Sequence, residues 1–248
     1  VDCINPESIY SVADFYKSSL ELITEIHNKN KLPLFVGGSM MYFKSLINGL
    51  DNLPERDEEY RSELQNIINQ NGVEKLYKML KELDPIYAKK INIFDEKRII
   101  RALEIHKASG NQLSTMVGYK NKDYLSNTYS VYQFGIFDED RSLLHSRIEE
   151  RLKIIIQNGL IDEVKNLLNK YKIPENHPIR KSVNYKQAIS FLNEDYDSDE
   201  LFKRALYATR QLAKRQMTWL RSWDHLEAFE IKTSHKIEES IKRLITSL

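Results

Sequence analysis

A short apolar run, Leu32 to Val36, meets two glycines and a serine at residues 37–39 and then a helix-forming stretch, Met40 to Asn48. A strand, a tight turn and a helix in that order point to an α/β arrangement. Upstream, Ser11 and Asp14 stand at capping-box spacing. Val12, Tyr16, Leu20 and Ile23 then keep one helical face to about Asn28, and Lys29 to Lys31 make the break. Helix, strand and helix predict a parallel sheet with crossover helices. A helix entered through a glycine turn is a common receiver of anions. The Gly37-Gly38-Ser39 turn lacks both the GxxxxGK[ST] and the GxGxxG spacing, so it marks a place rather than a ligand.

From residue 51 to about residue 127 the character changes. Helical patterns run over Asp57 to Gln70, Val73 to Leu83 and Asp95 to Ser109, with a weaker stretch after Gly110. Strand-like sequence returns at Ser130 to Phe137. Helices are expected over Arg141 to Gln157, ended by Asn158-Gly159, and over Leu160 to Tyr171. A loop at Pro174 and Pro178 precedes a long helix from Ser198 to Trp223. The predicted division is an α/β core with C-terminal helices over 1–50 and 128–248 and a helical insertion over 51–127. No apolar run reaches the length of a membrane span, and no signal peptide is visible. The single cysteine, Cys3, excludes an internal disulfide or a cysteine-rich metal site. A cytoplasmic location is therefore expected.

The net charge of +1 excludes little, but its distribution is uneven. Residues 194–200 carry five acids and no base. Leu201 to Trp223 carry Lys203, Arg204, Arg210, Lys214, Arg215 and Arg221 without an acid. Such an excess suits a polyanion, and equally a solvated helix whose acidic end complements the dipole. Within it Arg210, Lys214, Thr218 and Arg221 share a face, with Trp219 and Trp223 interleaved. Cations beside aromatics suit phosphates and unpaired bases. On the helix beginning at Arg141, Arg151 falls within the stripe of Leu144, Ile148, Leu152 and Ile155. Burial there requires a partner, either an internal carboxylate or a bound phosphate. Lys97, Arg98 and Arg101 lie on a helix whose own Asp95 and Glu104 can pair with them. The six histidines show no metal-ligand spacing.

Several stretches in this order resemble the tRNA dimethylallyltransferases (tRNA isopentenyltransferases). They are INPESIYSVADF (4–15), LPLFVGGSMMYFKSLINGL (32–50), LPERDEEYR (53–61), DEKRIIRALEIHKASGNQLS (95–114), LLHSRIEERL (143–152), SVNYKQ (182–187) and ATRQLAKRQMTWLRSW (208–223). The resemblance implies a P-loop-NTPase-like parallel-sheet core with a mostly helical insertion that grips the tRNA anticodon stem-loop. The implied reaction moves a dimethylallyl group from its diphosphate to N6 of the adenine beside the anticodon. It also implies Mg2+, with ligands mostly outside this chain, and a monomer.

By position the resemblance makes Arg151 the diphosphate-binding arginine and Ser39, usually threonine, a residue lining the passage where base and donor meet. It implies substrate or tRNA contacts for Gly37, Gly38, Arg61, Lys97, Arg98 and Arg101. Further contacts are implied for Lys181, Asn184, Tyr185 and Lys186, and for Arg210, Lys214, Arg215, Gln216, Thr218, Trp219 and Arg221. Asn184 replaces a usual glycine and Lys97 a common glutamine. The family's P-loop and the aspartate that serves as general base do not occur in the 248 residues. These residues alone are therefore expected to be inactive. The alternative is an RNA-binding module without chemistry. A nucleotide-kinase relative is disfavoured because the basic, aromatic helix has no part in it.

Overall fold

The computed structural model describes residues 4–117, 125–137, 140–233 and 235–247. In chain order the elements begin with α1 (Val12–Asn28), α2 (Met40–Asn48), α3 (Glu58–Asn71), α4 (Val73–Leu83), α5 (Pro85–Ala88) and α6 (Glu96–Ser109). Short helices α7 (Leu113–Met116) and α8 (Leu125–Thr128) precede strand β1 (Phe134–Phe137). Then come α9 (Arg141–Gln157), α10 (Leu160–Lys170), α11 (Tyr185–Leu192), α12 (Ser198–Arg221), β2 (Glu227–Glu230) and α13 (His235–Ser247). The chain divides into two compact units, Val1–Phe43 with Ser130–Leu248, and Lys44–Tyr129. The sequence reading set its helical insertion at 51–127. Part of its weaker stretch after Gly110, and Cys3, lie outside the described residues.

The Lys44–Tyr129 unit is a helical cluster in which α4 packs on α3, α5 and α6. Its helices start where short polar side chains can satisfy free N–H groups. The Asp57 carboxylate accepts from Tyr60 N at 2.9 Å and the Asp95 carboxylate from Arg98 N at 3.3 Å. Gly72 (φ 78°) and Gly110 (φ 71°) end α3 and α6 in backbone conformations that side chains resist. The core contains Leu64, Leu76, Leu80, Ile99, Leu103 and Ile105, all fully buried. Buried Asp84 accepts from Tyr87 N at 2.9 Å and Ser114 N at 2.7 Å, joining α5 to α7.

In the other unit the Ser11/Asp14 capping box forms as expected, with Asp14 N donating to Ser11 Oγ and Ser11 N to the Asp14 carboxylate. Helices α9, α10, α11 and α12 follow one another in contact. Leu160, Val164 and Ala188 form a small core with Ile155, Ile156 and Leu192 against it. Strands β1 and β2 pair in parallel, Phe134 opposite Glu227 and Phe137 opposite Glu230. Gly135 permits the close approach of Leu226, whose Cδ2 lies 2.6 Å from where a Cβ would project.

The expected parallel sheet is present only as two strands in a mostly helical protein, and one expectation is corrected, since residues 32–36 form no strand. A strand holds its place through ladder partners, and among the described residues none bonds this segment, so Leu34 is 69% and Val36 86% exposed. The Ser130–Phe137 stretch is strand only over its last four residues. Beyond residue 223, where the expectation is C-terminal helices, the chain holds β2 and then α13.

Candidate functional site

In the first unit the glycine turn is anchored to the basic helix. The Gln216 amide on α12 donates to the carbonyl oxygen of Gly38 at 2.9 Å. A Cβ at Gly38 would collide with that amide, so the approach depends on glycine. Ser39 follows the turn, exposed, and its carbonyl accepts from Tyr42 N at 2.9 Å. The start of α2 is braced by aromatic rings. Tyr42 stacks on Phe15 at 4.7 Å, Tyr10 meets Tyr42 edge-on, and Phe35 meets Phe15 edge-on. Thus Gly37, Gly38, Ser39 and Gln216 are brought together, as two sequence-distant motifs required.

Further along α12 the cations divide. Arg210 is engaged, donating to Glu149 of α9 at 3.3 Å, with its Nε buried and unpaired. Lys214, Arg215 and Arg221 are exposed and have no carboxylate partner among the described residues. Thr218 is spent on its own helix, donating to Lys214 O at 3.0 Å. Trp219 lies 6.3 Å from Trp223, whose indole N–H donates to Gln133 at 2.7 Å and so ties α12 to the segment entering β1. Burial, then the charges of Arg210 and Arg141, push His145 below the usual imidazole range.

Arg151 requires a correction. The sequence stripe placed it toward the core, whereas in the structure it is exposed. The buried residue of α9 is Leu152, one position and about 100° further round, and Leu144 is only half-buried. No described carboxylate pairs with Arg151, so its guanidinium is open to an anion from solution.

The loop before α11 carries Asn184 at φ 73°, a conformation asparagine tolerates, which accounts for its standing in for glycine. Asn184 N bonds Gln187 at 2.9 Å and Thr209 donates to Asn184 Oδ1 at 3.1 Å. The Tyr185 hydroxyl donates to Glu163, and burial followed by that bond pushes its pKa up to about 12. Lys181 and Lys186 are exposed.

In the Lys44–Tyr129 unit, Arg61 and Arg101 are both held by Glu104, which is 0% exposed. Arg61 donates through Nε at 2.8 Å and Nη2 at 2.9 Å, Arg101 through Nη1 at 2.7 Å, and Asp57 N at 2.8 Å. Arg101 also reaches Pro54 O at 2.7 Å, fixing the loop before α3. Burial alone would raise the Glu104 pKa, but the bonds from Arg61 and Arg101 and the backbone outweigh it and hold it at about 2. Arg98 pairs with Asp95 at 3.3 Å, while Lys97 is exposed and unpaired among the described residues. The self-pairing read from the sequence is thus present for Arg98 and Arg101 and absent for Lys97. Sequence reasoning missed the second arginine in the Glu104 clasp and the aromatic brace. The spacing that puts Tyr42 four residues after Gly38 was the available signal for the brace.

The turn is thus anchored to a basic, tryptophan-bearing helix, and comparison with known sequences supplies the class. The sequence model described as IPP transferase matches residues 1–223, and the chain belongs to that prenyltransferase family. It is similar to the full-length tRNA isopentenylpyrophosphate transferase of Bacillus halodurans, at 31% identity over 100% of this chain and 76% of that one, with a TM-score of 0.64. The tRNA delta(2)-isopentenylpyrophosphate transferase of Staphylococcus epidermidis shares the fold at 23% identity, covering 100% and 80% of the two chains, with a TM-score of 0.60. A eukaryotic dimethylallyltransferase acting on tRNA also shares it, at 20% identity and a TM-score of 0.73 over 92% of this chain, which spans 58% of that protein. The resemblance read from the motifs is borne out. No described helix is long and apolar enough to cross a membrane.

Proposed function

We propose that this chain works in the transfer of a dimethylallyl group from dimethylallyl diphosphate to N6 of the adenine beside the anticodon of a tRNA. The observation that carries this reading is the Gln216–Gly38 hydrogen bond, which holds the glycine turn on the helix that bears Lys214, Arg215 and Arg221, within a family of prenyltransferases. Lys214, Arg215 and Arg221 neutralise RNA phosphates, and Trp219 offers a face to an unpaired base. Arg151, exposed and unpaired among the described residues, binds the diphosphate, and Ser39 lines the mouth where the base meets the donor. The Lys44–Tyr129 unit contributes Lys97 and Arg98 to the stem-loop, with Arg61 and Arg101 shaping that surface through Glu104.

The extruded adenine presents its N6 lone pair to C1 of the prenyl group. The N–C bond forms as the C–O bond breaks, and the electron pair leaves with the diphosphate, whose charge Arg151 offsets. The N6 proton passes to a carboxylate base, the aspartate that the family carries beside its P-loop and that the 248 residues do not contain. The family resemblance implies Mg2+. Among the described residues no group of three or more His, Cys, Asp or Glu is placed to hold one.

The test incubates undermodified tRNA and labelled dimethylallyl diphosphate with the chain, alone and joined to a P-loop segment bearing the aspartate, followed by nucleoside analysis. Label on N6 of one adenosine with the joined protein, and none with the chain alone, is expected. No label with the joined protein, although tRNA binds, would leave the RNA-binding module as the better reading.

A further inference from the structure

The first half of α12 and α11 line an open pocket, about 390 Å³ in volume, of whose lining only Lys186 figures in the transfer site. One wall is rigid. Tyr196 donates its hydroxyl to Gln187 O at 2.7 Å, and the Arg204 guanidinium lies 5.0 Å over the Tyr196 ring. Arg204 Nε also donates to Glu200 at 2.7 Å, so these two charges cancel within the lining. The acidic run at the start of α12 is partly occupied as well, since Asp197 caps the helix by accepting from Glu200 N at 2.8 Å.

The remaining lining is open. Lys186 and Lys203 are exposed and have no carboxylate partner among the described residues. Tyr207 is 67% exposed, and among the described residues its ring meets neither another ring nor a cation. An exposed aromatic ring lining the same pocket as two unpaired ammonium groups is a combination that suits single-stranded nucleic acid: the ring stacks a base and the cations take the flanking phosphates. The pocket falls in the size range that admits a small molecule or a single nucleotide.

We propose that the α11–α12 pocket is an additional subsite for one unpaired nucleotide of the bound RNA, with its base on Tyr207 and its phosphates on Lys186 and Lys203. This rests on the tRNA reading given above. It extends the RNA track from the tryptophan end of α12 to the opposite half of the same helix.

The test measures tRNA affinity of the full chain against salt concentration for Tyr207→Ala, Tyr207→Phe, Lys203→Ala and, as a reference in the transfer site, Lys214→Ala. Tyr207→Ala is expected to weaken binding about tenfold, Tyr207→Phe less than twofold, and Lys203→Ala to lower the salt slope by about one. Both side chains are exposed, and circular dichroism verifies the folds. Wild-type affinity in Tyr207→Ala while Lys214→Ala binds poorly would overturn the subsite alone. Wild-type affinity in all four would overturn the tRNA reading itself. A parallel dialysis against free adenosine and uridine monophosphates is expected to show no binding below millimolar concentrations. Tight, Tyr207-dependent capture of a free nucleotide would overturn the RNA assignment.

Discussion

Gln216 and Gly38, 178 residues apart, are joined by a 2.9 Å hydrogen bond from side-chain amide to main-chain oxygen. The bond turns two motifs that look independent in sequence into one surface. A methyl group at Gly38 must displace the Gln216 amide, a flexible group that can swing away at the cost of its bond. Gly38→Ala and Gln216→Ala are each expected to cost about 1 kcal/mol. The double variant should cost no more than either single one, and urea unfolding midpoints of all four proteins check this non-additivity.

Glu104 makes the Lys44–Tyr129 unit sensitive to acid. Its folded pKa of about 2 lies below the ordinary 4.5, so the folded state favours the carboxylate. The resulting stability is complete above about pH 4.5 and is lost as pH falls from there through about 2. Glu104→Gln is expected to destabilise the unit by about 3 kcal/mol at neutral pH, because two arginines lose their shared anion. It should also flatten the acid dependence over that window. Hydrogen exchange of the α6 amides as a function of pH checks both effects, and an unchanged profile in the variant would assign the acid sensitivity elsewhere.

At the parallel strands, Gly135→Ala directs a methyl group at Leu226 Cδ2 and is expected to cost about 2 kcal/mol by overpacking. Leu226→Ala in the same protein should return part of that loss. Thermal melts of the single and double variants measure it.

The parts of the fold legible in sequence were those set by local chemistry. The Ser11/Asp14 box, Asp57, Asp95, Gly110 and Asn158-Gly159 mark helix ends through bonds made within a few residues. Strand β2 was not legible, because Glu227–Glu230 is largely exposed and acquires its identity from Phe134–Phe137, far earlier in the chain. The same dependence misled in the other direction at residues 32–36, whose apolar composition suits a strand but whose ladder partner is absent among the described residues. Helix α11 is short and opens on an asparagine at positive φ, although Asn184 and Gln187 stand at a capping-box spacing that could have revealed it. For the site, family motifs named Gly38 and Gln216 as candidates, but only coordinates could join them. Helical arithmetic failed at Arg151 because a 100° step locates a residue on a wheel without saying which part of the wheel is covered.

The cations of α12 and the guanidinium of α9 should separate in function. Lys214→Ala and Arg221→Ala are expected to weaken tRNA binding severalfold each and to lower its salt dependence, with circular dichroism unchanged because both side chains are exposed. Filter binding over a range of potassium chloride concentrations checks this. Equal loss across all salt concentrations would point instead to a structural effect.

The most direct measurement compares Arg151→Ala with wild type, each joined to the P-loop segment, for both tRNA affinity and single-turnover prenyl transfer. Transfer reduced at least a hundredfold, with tRNA affinity within twofold of wild type, is the expected result. Undiminished transfer, or a loss confined to tRNA binding, would contradict the role of Arg151 at the diphosphate and with it the placement of the reaction at this turn.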